Sequence, residues 1–323
     1  MKKRVLSGIQ PSGKLHIGNY FGMIKRMVEY QNSSDLFCFI ANLHSLTTIS
    51  DADTMKKLTL DAAMDMLALG IEPDKCHFWV QSDVPEVAEL TWILSCITPI
   101  GLMERAHSYK DKVTKGISPN LGLFCYPALM TADILINQSN IVPVGKDQKQ
   151  HVEMARDIAI KFNNSFGETF VIPEPEIPPE VATIPGTDGQ KMSKSYNNTI
   201  PIFDDEKVIK KAVMGIITDS KGVDEPKIAK GNVIYELYKL FVPNDEALIF
   251  KKNFEKGGMG YGDAKKLLLE KILNEFKPYR EKRVELEANP KKVEKILEEG
   301  AEKVKKISLS TLNKVRQATG LKY

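Results

Sequence analysis

The strongest constraint on the fold is an alternation of strand-like and helix-like segments through the first half of the chain. Short apolar runs with the character of buried strands are separated by longer runs with helical patterning. Such alternation implies a parallel sheet covered by helices on both faces. The predicted strands are residues 4–7, 35–42, 76–81 and 140–144, and the predicted helices are residues 20–31, 53–69, 87–97, 126–137 and 149–162.

The pattern changes in the second half. Residues 173–185 are rich in Pro and Glu and predict a connector. From about residue 205 helical patterns dominate, and residues 290–319 suggest two Lys/Glu-rich helices. We therefore expect an α/β fold, a Rossmann-like doubly wound parallel sheet with a smaller all-helical domain. We expect one domain made of residues 1–195 together with a C-terminal helix at residues 301–323. Residues 196–300 would form the second, helical domain.

Charge is distributed unevenly along the chain. Residues 1–190 contain 17 Lys and Arg against 22 Asp and Glu, whereas residues 191–323 contain 28 against 20. A basic C-terminal part suggests a polyanionic partner such as a nucleic acid. A merely solvated helical surface is the alternative.

Several classes of protein are excluded by composition. The four cysteines form no Cys-x-x-Cys pair and have no neighbouring His cluster, so we expect neither zinc nor a disulfide framework. The chain has no run of about 18 apolar residues, as a membrane helix would need. The N-terminus turns polar after two apolar residues, which is too short for a signal peptide. A cytosolic protein that does not bind membranes is expected.

The first glycine-rich turn, residues 8–15, nearly matches the P-loop pattern for binding phosphates. Its two glycines and Lys14 have the required spacing. Leu15, however, stands where a Ser or Thr hydroxyl would hold Mg²⁺, and a leucine cannot bind a metal. The P-loop interpretation therefore fails.

A different phosphate site is possible at the same turn. A helix predicted to begin near Gly18 would present free N–H groups and a partial positive charge, which favour phosphate. His16 and Asn19 could donate hydrogen bonds to phosphoryl oxygens, and Gly18 would let a nucleotide lie against the backbone. An ordinary capped strand–turn–helix corner remains the alternative.

A second motif, Lys-Met-Ser-Lys-Ser at residues 191–195, follows a glycine turn. Its two lysines could close over a triphosphate and stabilise charge on a departing pyrophosphate. A solvated surface loop is the alternative. Together with His16-Ile-Gly-Asn19 upstream, the motif resembles the paired signatures of class I aminoacyl-tRNA synthetases, ATP-dependent enzymes that charge tRNA.

The segment at residues 126–133 bears on the amino acid that is activated. Tyr126, Met130 and Asp133 share one face of the predicted helix, and Asp133 is a carboxylate among apolar residues. A buried carboxylate needs a donor, and tryptophan offers one in its indole N–H. In the related tyrosine enzymes the position of Met130 is typically a glutamine, so Met130 favours tryptophan over tyrosine.

The chain resembles the bacterial tryptophanyl-tRNA synthetase family over nearly its whole length. The segments that carry this resemblance are residues 8–19, 126–133 and 142–151. The resemblance implies catalytic roles for His16, Asn19, Lys191, Lys194 and Ser195. It implies tryptophan-binding roles for His44, Tyr126, Met130, Asp133, Val142, Val144 and Gln148. It implies ATP-binding roles for Gln10, Pro11, Ser12, Gly18, Asn19, Gly145, Lys146, Asp147, Ile184, Lys191, Met192, Ser193, Lys194 and Ser195, with help from Lys110 and Lys112.

The same resemblance implies a tryptophan–tRNA ligase that uses ATP with Mg²⁺ held through the phosphates and no metal bound by the protein. Its partners would be L-tryptophan, the tRNA for tryptophan and a second copy in a homodimer. Some relatives hold an iron–sulfur cluster through C-terminal cysteines, and this chain has none beyond Cys125. Many relatives have an aromatic residue in place of Leu6, so one pocket wall is expected to differ. A tyrosine-specific enzyme and a non-catalytic binding paralogue are the alternatives.

Overall fold

The computed structural model describes residues 2–105, 120–177 and 184–323. A parallel sheet of five strands lies at its centre, in the order β3-β2-β1-β4-β5. The bounds are β1 Arg4–Ile9, β2 Asp35–Ile40, β3 His77–Val80, β4 Ile141–Pro143 and β5 Glu174–Glu176. The α/β Rossmann-like fold expected from the sequence is confirmed. The predicted connector was wrong in one respect, since it contains β5.

Helices cover both faces of the sheet. The first, α1, is continuous through Ile17–Asn19, a π-helical stretch Tyr20–Ile24 and Lys25–Ser33. The others are α2 Asn42–Ser45, α3 Ala52–Ala68, α4 Glu86–Ile97, α5 Ile100–Glu104, α6 Leu121–Ile136, α7 Lys149–Phe166, α8 Glu206–Met214, α9 Val233–Tyr238, α10 Asn244–Lys256, α11 Tyr261–Glu287 and α12 Pro290–Ala318. Within the described ranges, no helix has the length and apolar character needed to cross a membrane.

The apolar side chains of β2 alternate between the two faces of the sheet, as the period of a strand requires. Cys38 packs with α1, α3 and the helical segment that follows residue 200. Phe37 and Phe39 pack on the opposite face with α4, α6 and α7. The centre of the sheet is therefore buried on both sides, which explains why β2 is almost uniformly apolar.

Helix α6 begins five residues earlier than the predicted helix. The Asn120 side chain caps it by accepting a hydrogen bond from the Leu123 N–H at 2.7 Å. The predicted start at residue 126, which would have put Pro127 in the first turn, was therefore wrong, and Pro127 lies inside the helix. The extra turns matter for the site because they fix the helix that carries Tyr126, Met130 and Asp133.

The C-terminal region forms one helix, α12, where the sequence suggested two. Its first part packs on the same face as Cys38 and its later part on the face of Phe37. The crossover lies at Gly300, whose Cα is so close to β3 that a Cβ atom would come 1.8 Å from the Phe78 carbonyl oxygen. A glycine within a helix ordinarily weakens it, but here Gly300 lets the helix lie against the edge strand and cover it.

The helical segment shares a continuous apolar core with the first face of the sheet. Tyr20 of α1 meets Phe276 of α11 edge-to-face, with ring centroids 5.0 Å apart. Arg283 of α11 donates to Asp65 at 2.6 Å and to Asp61 at 3.0 Å, both on α3. The predicted division at residues 195 and 301 remains a prediction; the later part of α12 packs on the sheet, as that division requires.

Candidate active site

The carboxyl ends of β1, β2 and β4 open into a cavity of about 430 Å³ between α1, α2 and α6. This is the edge at which parallel α/β sheets bind ligands. All seven residues predicted to bind tryptophan line this one cavity. They are His44, Tyr126, Met130, Asp133, Val142, Val144 and Gln148. Leu6 and Phe39 also line it. The wall at Leu6, where many relatives have an aromatic residue, is therefore aliphatic, while Phe39 contributes an aromatic ring to the cavity.

Asp133 is the buried carboxylate of this cavity, with 5% of its surface exposed. His44 Nε2 lies 3.0 Å from Asp133 Oδ2. Gln81 donates from Nε2 to both carboxylate oxygens, at 2.9 and 2.8 Å. These contacts offset part of the cost of burying a carboxylate and hold it in one orientation.

Tyr126 lies one turn before Met130 on the cavity face of α6, as the helical spacing predicts. Its hydroxyl lies 2.6 Å from Nε2 of His151, which α7 carries and which is almost fully buried. His151 was not singled out as a site residue from the sequence. Its place in the first turn of a helix that follows β4 was the available signal.

The phosphate turn has the predicted form at its helix end. His16 is the N-terminal cap of α1, and its backbone N–H donates to Asn19 Oδ1 at 3.1 Å. This contact uses the side-chain oxygen of Asn19, and the side-chain NH₂ group is the part of Asn19 that could donate to a ligand. Leu15 is buried in the core, which agrees with the rejection of a P-loop.

The side chain of His16 is buried and its Nδ1 atom has no hydrogen-bond partner among the residues described. Burial and the nearby Lys194 ammonium lower the pKa of His16 to about 4. The imidazole is consequently neutral near pH 7, with one nitrogen able to donate and the other able to accept. A buried, unsatisfied polar atom at a helix N-terminus is what an absent polar ligand would leave.

The lysine loop docks directly on the phosphate turn. Lys194 Nζ donates to the Gly13 carbonyl at 2.7 Å and lies 3.4 Å from Ser12 Oγ. Burial lowers the pKa of Lys194 below its ordinary value. Lys191 and Ser195 have exposed side chains. Two motifs that lie some 180 residues apart in the chain are thus brought into contact.

Asn198 fixes the shape of the lysine loop. It accepts from the Ser193 N–H at 2.8 Å and donates to Asp188 at 2.7 Å. Met192 is buried in the core and its N–H donates to the Ile184 carbonyl at 2.8 Å, so Ile184 lies beside the loop. Asn198 was not predicted as a site residue from the sequence, although it lies only three residues after the end of the motif.

The remaining nucleotide-binding candidates lie around these two motifs. Gln10 and Gly145 line the cavity, Pro11 and Ser12 belong to the turn, and Lys146 begins a short 3₁₀ helix after β4. A Cβ atom on Gly18 would come 3.3 Å from Met192 Cβ, so the turn and the loop approach closely there. Lys110, Lys112 and the side chain of Asp147 lie outside the described residues.

Comparison with known proteins identifies the class. The family model described as class I tRNA synthetases for tryptophan and tyrosine (W and Y) matches residues 1–277. The chain belongs to this family of class I aminoacyl-tRNA synthetases.

Within that family, several of the most similar relatives are tryptophan enzymes from bacteria. The tryptophan–tRNA ligase of Fusobacterium nucleatum is 53% identical over 99% of this chain and 98% of its own length. The crystal structure of the Campylobacter jejuni tryptophanyl-tRNA synthetase, complexed with ADP and tryptophan, is 52% identical, with a TM-score of 0.93 over 98% of this chain and 99% of that one. The Mycoplasma pneumoniae enzyme, 29% identical, has a TM-score of 0.85 over 99% and 98%. The prediction of a bacterial-type tryptophan–tRNA ligase is confirmed.

Proposed function

We propose that the cavity binds L-tryptophan and that the docked turn and lysine loop bind ATP, so that the enzyme forms tryptophanyl-adenylate and then charges its tRNA. In the first step a tryptophan carboxylate oxygen attacks the α-phosphorus, and the bond to pyrophosphate breaks. In the second, the terminal ribose hydroxyl of the tRNA attacks the acyl carbon and AMP leaves. The carboxylate is already ionised near neutral pH, so no protein nucleophile is needed.

The single observation that carries this proposal is the environment of Asp133. The carboxylate lies in a cavity whose other walls include Met130, Val142 and Phe39. Indole presents one donor and a large apolar surface, which matches one buried acceptor in an apolar slot. A phenylalanine side chain would leave Asp133 without a ligand donor and so be rejected.

The proposed ATP site is supported by its charge and by its unsatisfied donors. Lys194 lies on the phosphate turn, and the buried His16 imidazole has an orphaned nitrogen there. These groups, with the partial positive charge at the start of α1, would stabilise the phosphates and the departing pyrophosphate. The enzyme would supply alignment and electrostatic stabilisation rather than covalent catalysis.

We propose that ATP enters as its Mg²⁺ complex. The residues described contain no group of three His, Cys, Asp or Glu side chains that could hold a metal ion. The cation would therefore travel with the substrate phosphates, where it neutralises charge.

We further propose that residues 196–300 bind the anticodon part of the tRNA for tryptophan, because this region is helical and carries 20 Lys and Arg side chains that could contact phosphates, among 19 Asp and Glu. We propose a homodimer as well, and a cytoplasmic location. The dimer is supported by large exposed apolar side chains on helices that pack together, namely Trp92 on α4, Ile100 on α5 and Leu121 on α6.

Replacing Asp133 tests the tryptophan pocket. Asp133→Ala should raise the KM for tryptophan in ATP–pyrophosphate exchange and reduce discrimination against phenylalanine, because the acceptor for the indole N–H is gone. The KM for ATP should change little. A variant that still discriminates against phenylalanine as the wild-type enzyme does would contradict the assignment.

A further inference from the structure

Gln81 lies behind the tryptophan cavity rather than in it. It stands directly after β3, at the carboxyl edge of the sheet, with 2% of its surface exposed. Its amide nitrogen reaches both oxygens of Asp133, at 2.9 and 2.8 Å. A buried polar side chain needs hydrogen-bond partners, and Gln81 finds two of them in the carboxylate that is proposed to select tryptophan.

The orientation of the Gln81 amide is fixed by chemistry. The backbone N–H of Leu43 donates to Gln81 Oε1 at 3.0 Å. A backbone N–H can only donate, so the atom facing it must be the oxygen and the NH₂ group must face Asp133. Leu43 also belongs to α2, the short helix that carries His44. One glutamine therefore links α2 to the Asp133 carboxylate.

The contacts divide the two oxygens of Asp133 unequally. Oδ2 is contacted by both His44 and Gln81, whereas Oδ1 is contacted by Gln81 alone. An ionised carboxylate only accepts, so His44 Nε2 carries the proton of that pair. Because each oxygen has about two acceptor positions, Oδ1 keeps one for a ligand donor.

We propose that Gln81 is a specificity-determining positioning residue, which holds the Asp133 carboxylate so that Oδ1 faces the indole N–H of tryptophan. This inference rests on the proposed tryptophan pocket. Gln81 touches no substrate; it acts through Asp133 by removing the freedom of the carboxylate to rotate. Its contribution is therefore selective for amino acids that present an N–H at that place.

The test compares tryptophan with β-(3-benzothienyl)-L-alanine, in which sulfur replaces the indole N–H. In ATP–pyrophosphate exchange, Gln81→Met should lower kcat/KM for tryptophan about ten- to a hundredfold, through the KM for tryptophan. The KM for ATP should be unchanged. For the sulfur analogue kcat/KM should change less than about threefold, because no hydrogen bond to Asp133 is made.

A matched control is available in Gln31, whose side-chain amide is equally buried, with 3% of the residue exposed. Its amide donates to the Gly70 carbonyl at 2.9 Å and accepts from the Glu72 N–H at 2.9 Å, and Gln31 is not among the residues that line the cavity. Gln31→Met removes an equally buried amide without touching the site. It should leave the ratio between the two substrates unchanged, even if stability falls.

Gln81→Asn keeps the amide but shortens the side chain by one methylene, so it cannot span Leu43 and Asp133 and should show the same selective loss if Gln81→Met fails to fold. Equal losses for tryptophan and the sulfur analogue would overturn the proposal, because they would indicate a structural role alone. Unchanged or improved use of tryptophan would overturn it too. Absence of tryptophan-dependent exchange in the wild-type enzyme would instead refute the proposed function and is thus distinguishable.

Discussion

Lys194 shows how one residue joins the two motifs of the site. Its ammonium group donates to the Gly13 carbonyl and is partly buried. A cation kept in such a place is costly unless an anion arrives to meet it. The phosphates of ATP would meet that requirement, and their charge increases on the pyrophosphate as it leaves.

Lys194→Ala should therefore lower the rate of adenylate formation by about 10²–10³-fold, with little change in tryptophan affinity. ATP–pyrophosphate exchange measures the first and equilibrium titration of tryptophan the second. Lys57→Ala is a suitable control, since Lys57 pairs with Asp61 on the exposed side of α3. Normal exchange by Lys194→Ala would refute its role on the leaving group.

The buried imidazole of His16 predicts how the free energy of unfolding depends on pH. Its native pKa of about 4 is lower than that of an ordinary histidine, 6.5, so the unfolded chain binds a proton there before the native protein does. The free energy of unfolding should consequently decrease as pH falls between about 6.5 and 4. By pH 5 this one group should account for a loss of up to about 2 kcal/mol relative to neutral pH.

Urea unfolding of the wild-type protein and of His16→Asn at both pH values measures this contribution. The variant should lose less stability than the wild type between pH 7 and pH 5, because it lacks the titrating imidazole. Parallel losses in the two proteins would show that His16 is not held neutral by the fold.

At the scale of elements, α12 depends on Gly300. Replacing a helical glycine with alanine ordinarily stabilises a protein by about 0.5–1 kcal/mol. Here the new Cβ would overlap the Phe78 carbonyl at 1.8 Å, so the helix would have to move off β3. Gly300→Ala should instead destabilise the protein by about 1–3 kcal/mol or more in urea unfolding.

Gly262 provides the matched comparison. It also lies in a helix, α11, and a Cβ there would meet nothing within 4 Å. Gly262→Ala should leave stability unchanged or slightly increased. If the two substitutions had the same effect, the close packing of α12 on the edge strand would not be the reason for Gly300.

Periodicity predicted most elements of the sheet and its helices because their apolar residues repeat with the period of the element that buries them. It missed β5, since Glu174-Pro-Glu176 has neither apolar character nor an uninterrupted set of N–H donors. It predicted two helices where α12 is one, and the packing of Gly300 on the Phe78 backbone, more than 200 residues away, has no local signature in the sequence.

The site residues on motifs could be predicted, whereas their partners could not. Asp133 was conspicuous as a charge on an apolar helix. Gln81 and His151 gave no such signal, because a polar residue at the end of a strand or the start of a helix is common. Their importance arises from tertiary contacts, with Asp133 and with Tyr126, that no local pattern records.

At the scale of the whole molecule, the helical segment is joined to the catalytic sheet by more than apolar contact. Arg283 is buried and binds Asp65, while α11 also packs on α1, the helix that begins at His16. Breaking a buried ion pair leaves an uncompensated charge, so such a link disfavours separation of the two parts. The helical segment is thus held in a fixed relation to the phosphate turn.

ATP–pyrophosphate exchange by the purified protein tests most directly whether the cavity selects tryptophan for activation. Exchange should depend on L-tryptophan and exceed exchange with L-tyrosine by orders of magnitude, because Met130 and the acceptor-only Asp133 suit indole and not a phenol. Exchange driven by tyrosine would contradict the pocket assignment. Absence of exchange with every amino acid would contradict the enzyme itself.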